Sequence, residues 1–250
     1  MNPTKKTVLL PVISARRGSS LRSKNIWLNR DGVPLLAASV MKALALKGVR
    51  KTTVSVLTPV VVTDSENYAN LAREAGADIV FSRNITKFAD VTDNLRLAAR
   101  SVRETNIVLM LLQCTSPDVS RETLSSAVDT AHYLDKKARD AVGISCVYEQ
   151  KKWTGLFFVD KDKKGEYLTY LADPSRMVAP SVPRQKLAPA ARFTGAVSVF
   201  HASLLSSHPR AKSFFDAAKR IIPIWHHTAR EAIDIDTIDD ALAAGCTPIG

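Results

Sequence analysis

The chain has 250 residues, with 35 Lys and Arg against 24 Asp and Glu, and a formal net charge of +11. That length suits one large α/β domain or a domain with a substantial insertion, and 46% apolar with 24% charged residues excludes a disordered or collagen-like chain. The longest apolar runs, Ile107–Leu112 and Leu57–Val62, fall far short of the roughly 20 residues that cross a bilayer, so no membrane partner is expected.

The opening Met-Asn-Pro-Thr-Lys-Lys leads into a short apolar stretch that soon meets Arg16 and Arg17. This is too short for a secretory leader and predicts a cytoplasmic protein, with a nuclear location left open. Thr7–Ile13 is nearly all apolar, as in a buried strand of a parallel sheet, although Pro11 cannot donate to a ladder. Val33–Leu46 has helical spacing, Pro59–Thr63 is a second strand, and Ser65–Ala75 is a helix with Ser65 as its cap and Gly76 just past its end. A short strand over Ile79–Phe81, a helix over Asp93–Glu104 and an all-apolar strand over Ile107–Leu112 follow. Pro117 and Ser120 introduce a helix over Ser120–Leu134, and Ala141–Val147 is the next strand. This alternation predicts a three-layer α/β/α sandwich on a mostly parallel, Rossmann-like sheet.

Between residues 148 and 190 the rhythm gives way to lysine-rich turns, prolines and short β-like pieces such as Trp153–Val159, which marks an inserted lobe within a single domain spanning 1–250. The rhythm returns with Gly195–Phe200, a helix around Ser213–Lys219, a strand over Ile221–Trp225, and Ala232–Ile235 as a strand before a terminal helix.

In open α/β sheets ligands bind beyond the carboxyl ends of the strands, so the loops there are the first candidates for chemistry. After the first strand, Ser14 to Asn25 carries Arg16, Arg17, Arg22 and Lys24 among small hydroxyl residues. Such a loop can surround a polyphosphate with cations and backbone N–H groups, but it equally fits a solvated basic loop, and it is neither a Walker A loop nor a GxGxxG. After Ile107–Leu112, Gln113-Cys114-Thr115-Ser116-Pro117 is placed to read a base or sugar or simply to turn the chain into a helix. Cys114 reads as structural, since no base partner for a nucleophilic thiol is evident. The three cysteines, Cys114, Cys146 and Cys246, have no zinc-site spacing. In Ile233-Asp234-Ile235-Asp236, strand alternation would put both carboxylates on one face, suited to Mg²⁺, while Thr237 with Asp240 fits a helix cap. Arg184 and Arg192 could clamp a carboxylate. His226-His227 lacks a third ligand for a metal.

Taken in order, these segments resemble the N-acylneuraminate cytidylyltransferases, the CMP-sialic acid synthetases. The resemblance runs from about Val8 to Ala244 through Ile13-Ser14-Ala15-Arg16-Arg17-Gly18-Ser19 with Lys24-Asn25, Val60 to Ser65, Gly76-Ala77 with Arg83, Leu111 to Pro117, Pro183-Arg184-Gln185, Arg192 to Ser198, and Ile233 to Asp240. It implies a Mg²⁺-dependent reaction in which the anomeric hydroxyl of an acidic nonulosonate sugar attacks the α-phosphorus of CTP, giving a CMP-sugar and pyrophosphate. Carried over, Arg16 and Lys24 bind phosphates and, with Asp236, are the catalytic set. Ala15, Ser19, Asn25, Arg83 and Gln113 line the nucleotide, with Gln113 also touching the sugar. Arg184, Arg192 and Phe193 lie on the sugar side, and Asp234 and Asp236 hold the metal. The family is commonly a homodimer joined through an inserted segment, which the 148–190 lobe resembles in position.

The sequence departs from the family at Ser14 and Cys114, which replace prolines, at Asp118-Val119 in place of Leu-Arg, and at Thr194 and Ser198 in place of asparagine and tyrosine. The nucleotide half is therefore better matched than the sugar half. The 3-deoxy-manno-octulosonate cytidylyltransferases share the chemistry but carry an acidic residue where this chain has Gln113. A noncatalytic nucleic-acid-binding protein would use the +11 charge, but no interleaved aromatic and basic motif supports it.

Overall fold

The computed structural model describes residues 7–17, 21, 23–48, 54–82, 90–149, 157–162, 165–170, 190–211 and 213–248. In chain order the elements are β1 (Thr7–Ala15), α1 (Leu35–Ala45), β2 (Val54–Val56), β3 (Val60–Thr63), α2 (Glu66–Glu74), β4 (Asp78–Phe81), α3 (Asp90–Ser101), β5 (Ile107–Leu112), α4 (Arg121–Lys137) and β6 (Ala141–Glu149). They continue with β7 (Phe157–Asp162), β8 (Gly165–Tyr170), β9 (Ala190–His201), α5 (Ser203–Ser207), α6 (Phe214–Ala217), β10 (Arg220–Trp225) and α7 (Ile238–Ala244).

One sheet has the order β10-β6-β9-β5-β1-β3-β4, with β2 beside the start of β1. Strands β2, β3 and β5 run parallel to β1, β4 runs parallel to β3 and β10 to β6, whereas β9 runs antiparallel to β5. Strand alternation divides the core in two. Leu9, Ile13, Val108, Met110 and Leu112 face a layer holding Leu36 and Val40 of α1, Ala72 of α2, and Leu124 and Val128 of α4. Leu10, Val12, Leu109 and Leu111 face the other way, onto Leu95 and Ala98 of α3, Leu204 of α5 and Phe214 of α6. Both faces of the central strands are covered, which is why β5 is apolar and buried at every position, and the three-layer sandwich expected from the sequence is the one observed.

Pro11 sits in the middle of this sheet without breaking a ladder bond. Thr7–Leu9 pair with β2 and Val12–Ala15 with β3, so Pro11 falls where the neighbour changes. The Leu9 carbonyl accepts from the Leu57 N–H on that side, and Pro11, two residues on, turns its missing donor toward the same gap.

Several boundaries differ from the sequence reading. Helix α1 starts at Leu35, because Leu28 and Pro34 form an antiparallel bridge first. Helix α3 runs from Asp90 to Ser101 and ends before the polar Arg103-Glu104. The Ser65 hydroxyl makes no capping bond to α2; instead the Ser65 N–H donates to the Thr63 hydroxyl at 3.2 Å. Gly76, at φ +97°, closes that helix as expected: its N–H reaches the Arg73 carbonyl and the Ala77 N–H reaches Ala72. Ser120 caps α4, accepting from the Thr123 N–H at 3.1 Å.

By contact density the chain divides into two units, residues 1–146 with 193–250, and residues 147–192. Within the second, β7 and β8 form an antiparallel hairpin with Phe157 opposite Tyr170. Residues 153–156 of the β-like piece expected there lie outside the described residues.

Candidate functional site

Because β1, β3, β4 and β5 are parallel, they end on one edge: Ile13 lies opposite Leu112, Ala15 opposite Thr63 and Thr63 opposite Phe81. The loops beyond that edge converge. After β1 the chain is pinned by Asp64, whose carboxylate accepts the Arg17 N–H at 2.8 Å. It then tightens into a single 3₁₀ turn over Lys24–Ile26, entered through Ser23 at φ +55°. Among the described residues Ser23 is the one non-glycine at positive φ, a conformation that costs backbone energy and that the following turn holds in place.

That turn buries Lys24 and Asn25 and aims the lysine at the far end of the chain. The Lys24 ammonium donates to the Ile235 carbonyl at 2.6 Å and to Asp236 Oδ1 at 2.8 Å. Asn25 donates through Nδ2 to the Arg16 carbonyl at 3.1 Å and accepts from the Cys114 thiol at 3.1 Å. Burial pushes that thiol up to about 12, so Cys114 is a packed, protonated link and not a nucleophile. Gln113 extends the β5–β9 pairing by one bond, its N–H donating to the Ala196 carbonyl at 3.0 Å.

The segment expected as a strand, Ala232–Ile235, is not one. A 3₁₀ turn spans Ala229–Ala232, Ile233 leaves it extended, and Ile235 is tied by its N–H to the Thr115 carbonyl, in the loop after β5, at 2.9 Å before the chain bends at Asp236. The cause is local: Thr228 and Glu231 form a capping box that commits the preceding residues to the turn. Ile235, fully buried, packs with Trp27, Leu35 and Ala241, which fixes the loop and α7 against the segment after β1. Thr237 and Asp240 form the capping box of α7 expected from the sequence.

Asp234 and Asp236 differ in environment. The Asp236 side chain is 69% exposed and paired with Lys24. Asp234 is held inward, and its carboxyl is raised above the ordinary range by burial and by the Asp236 charge, against a hydrogen bond from Thr115 and the Lys24 charge. Its Oδ1 is buried without a hydrogen-bond partner. An orphaned carboxylate oxygen beside an exposed carboxylate is a donor set that suits a hard divalent cation, which takes oxygen ligands and completes its shell from phosphates and water. Among the described residues no group of three or more His, Cys, Asp or Glu is arranged to hold a metal without such help.

No protein-family model and no curated protein sequence matches this chain. Solved structures do. A CMP:2-keto-3-deoxy-manno-octonic acid synthetase complexed with CTP superposes with a TM-score of 0.63 at 17% identity, over 96% of this chain and 99% of that one. The chain shares the fold of this synthetase. The 4-diphosphocytidyl-2C-methyl-D-erythritol synthase of Anaerococcus prevotii matches at 0.59 and 13% identity over 96% and 95% of the two chains. Another structure of a synthase of that name matches at 0.59 and 16%, over 96% and 97%.

Of the residues singled out from the sequence, the fold brings Ala15, Arg16, Lys24, Asn25, Gln113, Asp234 and Asp236 to the loops beyond one sheet edge. Phe193 lies at the start of β9, 43% exposed, its ring edge-to-face on Phe215 at 5.3 Å. Arg192 belongs to the second unit. Ser19, Arg83 and Arg184 lie outside the described residues.

Asp118, which with Val119 stands in place of the family's Leu-Arg, gathers two cations. Its Oδ1 accepts from Arg30 at 2.6 Å and its Oδ2 from Arg230 at 2.8 Å. Thr115 lies in the segment expected to read a base or sugar or to turn the chain, whereas Glu231 and this arginine pair carry no such expectation from the sequence. A Thr-x-x-Glu spacing at Thr228–Glu231 was the one available signal, and it announces a turn, not a site.

Proposed function

We propose that this chain is a cytidylyltransferase that activates an acidic keto-sugar acid, a nonulosonate of the sialic-acid kind or an octulosonate, with CTP to give a CMP-sugar and pyrophosphate. The observation that carries this reading is Lys24: a buried ammonium on a rigid turn at the carboxyl edge of the sheet, bonded to Asp236. It is supported by the shared fold with a synthetase solved as a CTP complex. In the reaction a P–O bond forms between the sugar hydroxyl and the α-phosphorus, and the bond to the β-phosphate breaks. Such a transfer needs charge neutralisation and alignment more than a covalent catalyst. Arg16 and Lys24 supply fixed cations for the triphosphate, Asn25 holds the loop that bears them, and Gln113 stands on the acceptor side. Mg²⁺ held by Asp234 and Asp236 would neutralise phosphate charge.

Gln113 favours a sialic-acid relative, whereas the likeness to the octonic acid synthetase favours the octulosonate. Pyrophosphate release from CTP and Mg²⁺ is measured with N-acetylneuraminate, other nonulosonates and 3-deoxy-manno-octulosonate in turn. Release with one of them is the expected result and fixes the acceptor; no release with any of them, at saturating CTP, overturns the reading. The 148–190 lobe is assigned the contact of a homodimer. Sedimentation at micromolar concentration is expected to give a dimer, and a monomer would remove that assignment.

A further inference from the structure

A buried polar chain links stretches that the sequence presents as unrelated. Glu231 is 2% exposed, and although burial alone would raise its carboxyl, hydrogen bonds from the Thr123 hydroxyl, from the N–H and hydroxyl of Ser120 and from His226 hold it down at about 2. With that carboxylate ionised, the nitrogen facing it at 3.3 Å, His226 Nδ1, carries a proton. Nε2 of the same ring lies 2.8 Å from Thr194 Oγ1. Thr194 Oγ1 also lies 2.8 Å from the Ser145 hydroxyl, and Ser145 Oγ accepts the Val197 N–H at 2.9 Å. An unbroken run of hydrogen bonds therefore joins the Val197 N–H to one buried charge, an arrangement in which neighbouring bonds strengthen one another. The Thr194 hydroxyl donates to the Ser145 carbonyl at 3.1 Å, a second tie between the two strands.

The position of Thr194 gives this chain its consequence. It precedes Gly195, whose φ of +76° favours glycine, and the next carbonyl, Ala196, holds the Gln113 N–H. Thr194 is buried, and strand alternation turns Phe193 and Gly195 to the opposite face, where Phe193 is exposed. The Thr194 hydroxyl is thus the inward anchor of the segment whose Ala196 carbonyl holds the Gln113 N–H.

We propose that Glu231, His226 and Thr194 act as positioning residues for the acceptor sugar, holding residues 193–196 against Gln113 without touching the nucleotide side. The inference rests on the reading of the site as a cytidylyltransferase. Steady-state KM for acceptor and for CTP is compared, with Tm, in wild type, Thr194→Val and Thr194→Ser. Thr194→Val, which keeps the shape and removes the hydroxyl, is expected to raise the acceptor KM about tenfold, or about 1.4 kcal/mol, with the KM for CTP within about twofold. Thr194→Ser, which keeps the hydroxyl, is expected to restore the acceptor KM. An acceptor KM unchanged in Thr194→Val while Tm falls, or a parallel rise for both substrates, overturns the inference. If Thr194→Val does not fold, His226→Asn breaks the next link, and the same split between substrates is expected and the same outcomes overturn it. A wild type that turns over no acceptor refutes the cytidylyltransferase reading itself, a result distinct from an active wild type with an indifferent variant.

Discussion

Lys24 and Asp236 stand 212 positions apart in the chain and 2.8 Å apart in space. The pair is asymmetric, with a lysine side chain 9% exposed and an aspartate 69% exposed, so the cation is held by the fold and its partner faces solvent. The Ile235 carbonyl gives Lys24 a second acceptor, which keeps the ammonium in place when a ligand competes for Asp236.

Lys24→Met therefore removes a fixed charge from the proposed phosphate site while leaving an apolar stem of similar length. Turnover is expected to fall by roughly 100-fold or more, the scale seen when one preorganised electrostatic contact is lost. Asp236→Ala, at an exposed position, is expected to leave circular dichroism unchanged and to remove most Mg²⁺-dependent turnover. Near-wild-type rates in either variant would place the charge-stabilising centre elsewhere.

Asp234→Asn tests the inward carboxyl. Burial already disfavours the Asp234 charge, so the amide is expected to leave Tm unchanged or slightly raised. The Mg²⁺ concentration giving half-maximal rate is expected to rise about tenfold. A Mg²⁺ titration that superposes on wild type would show that Asp234 does not ligate the ion.

The cysteines should be inert in the folded protein. Cys114, Cys146 and Cys246 are all buried, and burial raises each thiol, Cys114 to about 12. Alkylation at about pH 8 followed by mass spectrometry is expected to leave all three unmodified until the protein unfolds. Rapid labelling of Cys114 in the native state would show that the Asn25 contact opens.

Acid should destabilise the fold in two stages. His201 is pressed down from 6.5 to about 4, chiefly by burial and also by the Arg139 charge, so between those values the unfolded chain binds a proton the native one refuses, and stability falls as pH drops. Asp135 and Glu231 are both held near 2 by hydrogen bonds that outweigh their burial, below ordinary values of 3.8 and 4.5. Their contribution is present above those ordinary values and is lost as pH falls toward 2. Tm measured against pH is expected to show both declines. In His201→Gln the upper one should vanish while the lower remains, and an unchanged upper decline would assign it to another group.

The layered fold was legible in the sequence because it follows from one-dimensional patterns. Ile107–Leu112 is apolar at every position, which a strand covered on both faces requires, and its bounds match those read from the chain. The capping signals of Ser120, Gly76 and Thr237 act within four residues, so they could be read locally, whereas the Ser65 hydroxyl makes no capping bond to α2. Strand alternation misled at Ile233 to Asp236, which form no strand and are held by burial of Ile235 and by bonds to Thr115 and Lys24.

By itself, then, the sequence determined the alternation of elements, the covered parallel sheet and the basic loop that follows its first strand, all of which depend on neighbours in the chain. Tertiary structure alone decided what that loop meets. It set Lys24 on Asp236, Asn25 on Cys114, two arginines on Asp118 and Glu231 behind His226 and Thr194. These pairings join residues drawn from separate loops whose proximity comes from strand order and from the docking of α7, and no periodicity along the chain encodes strand order.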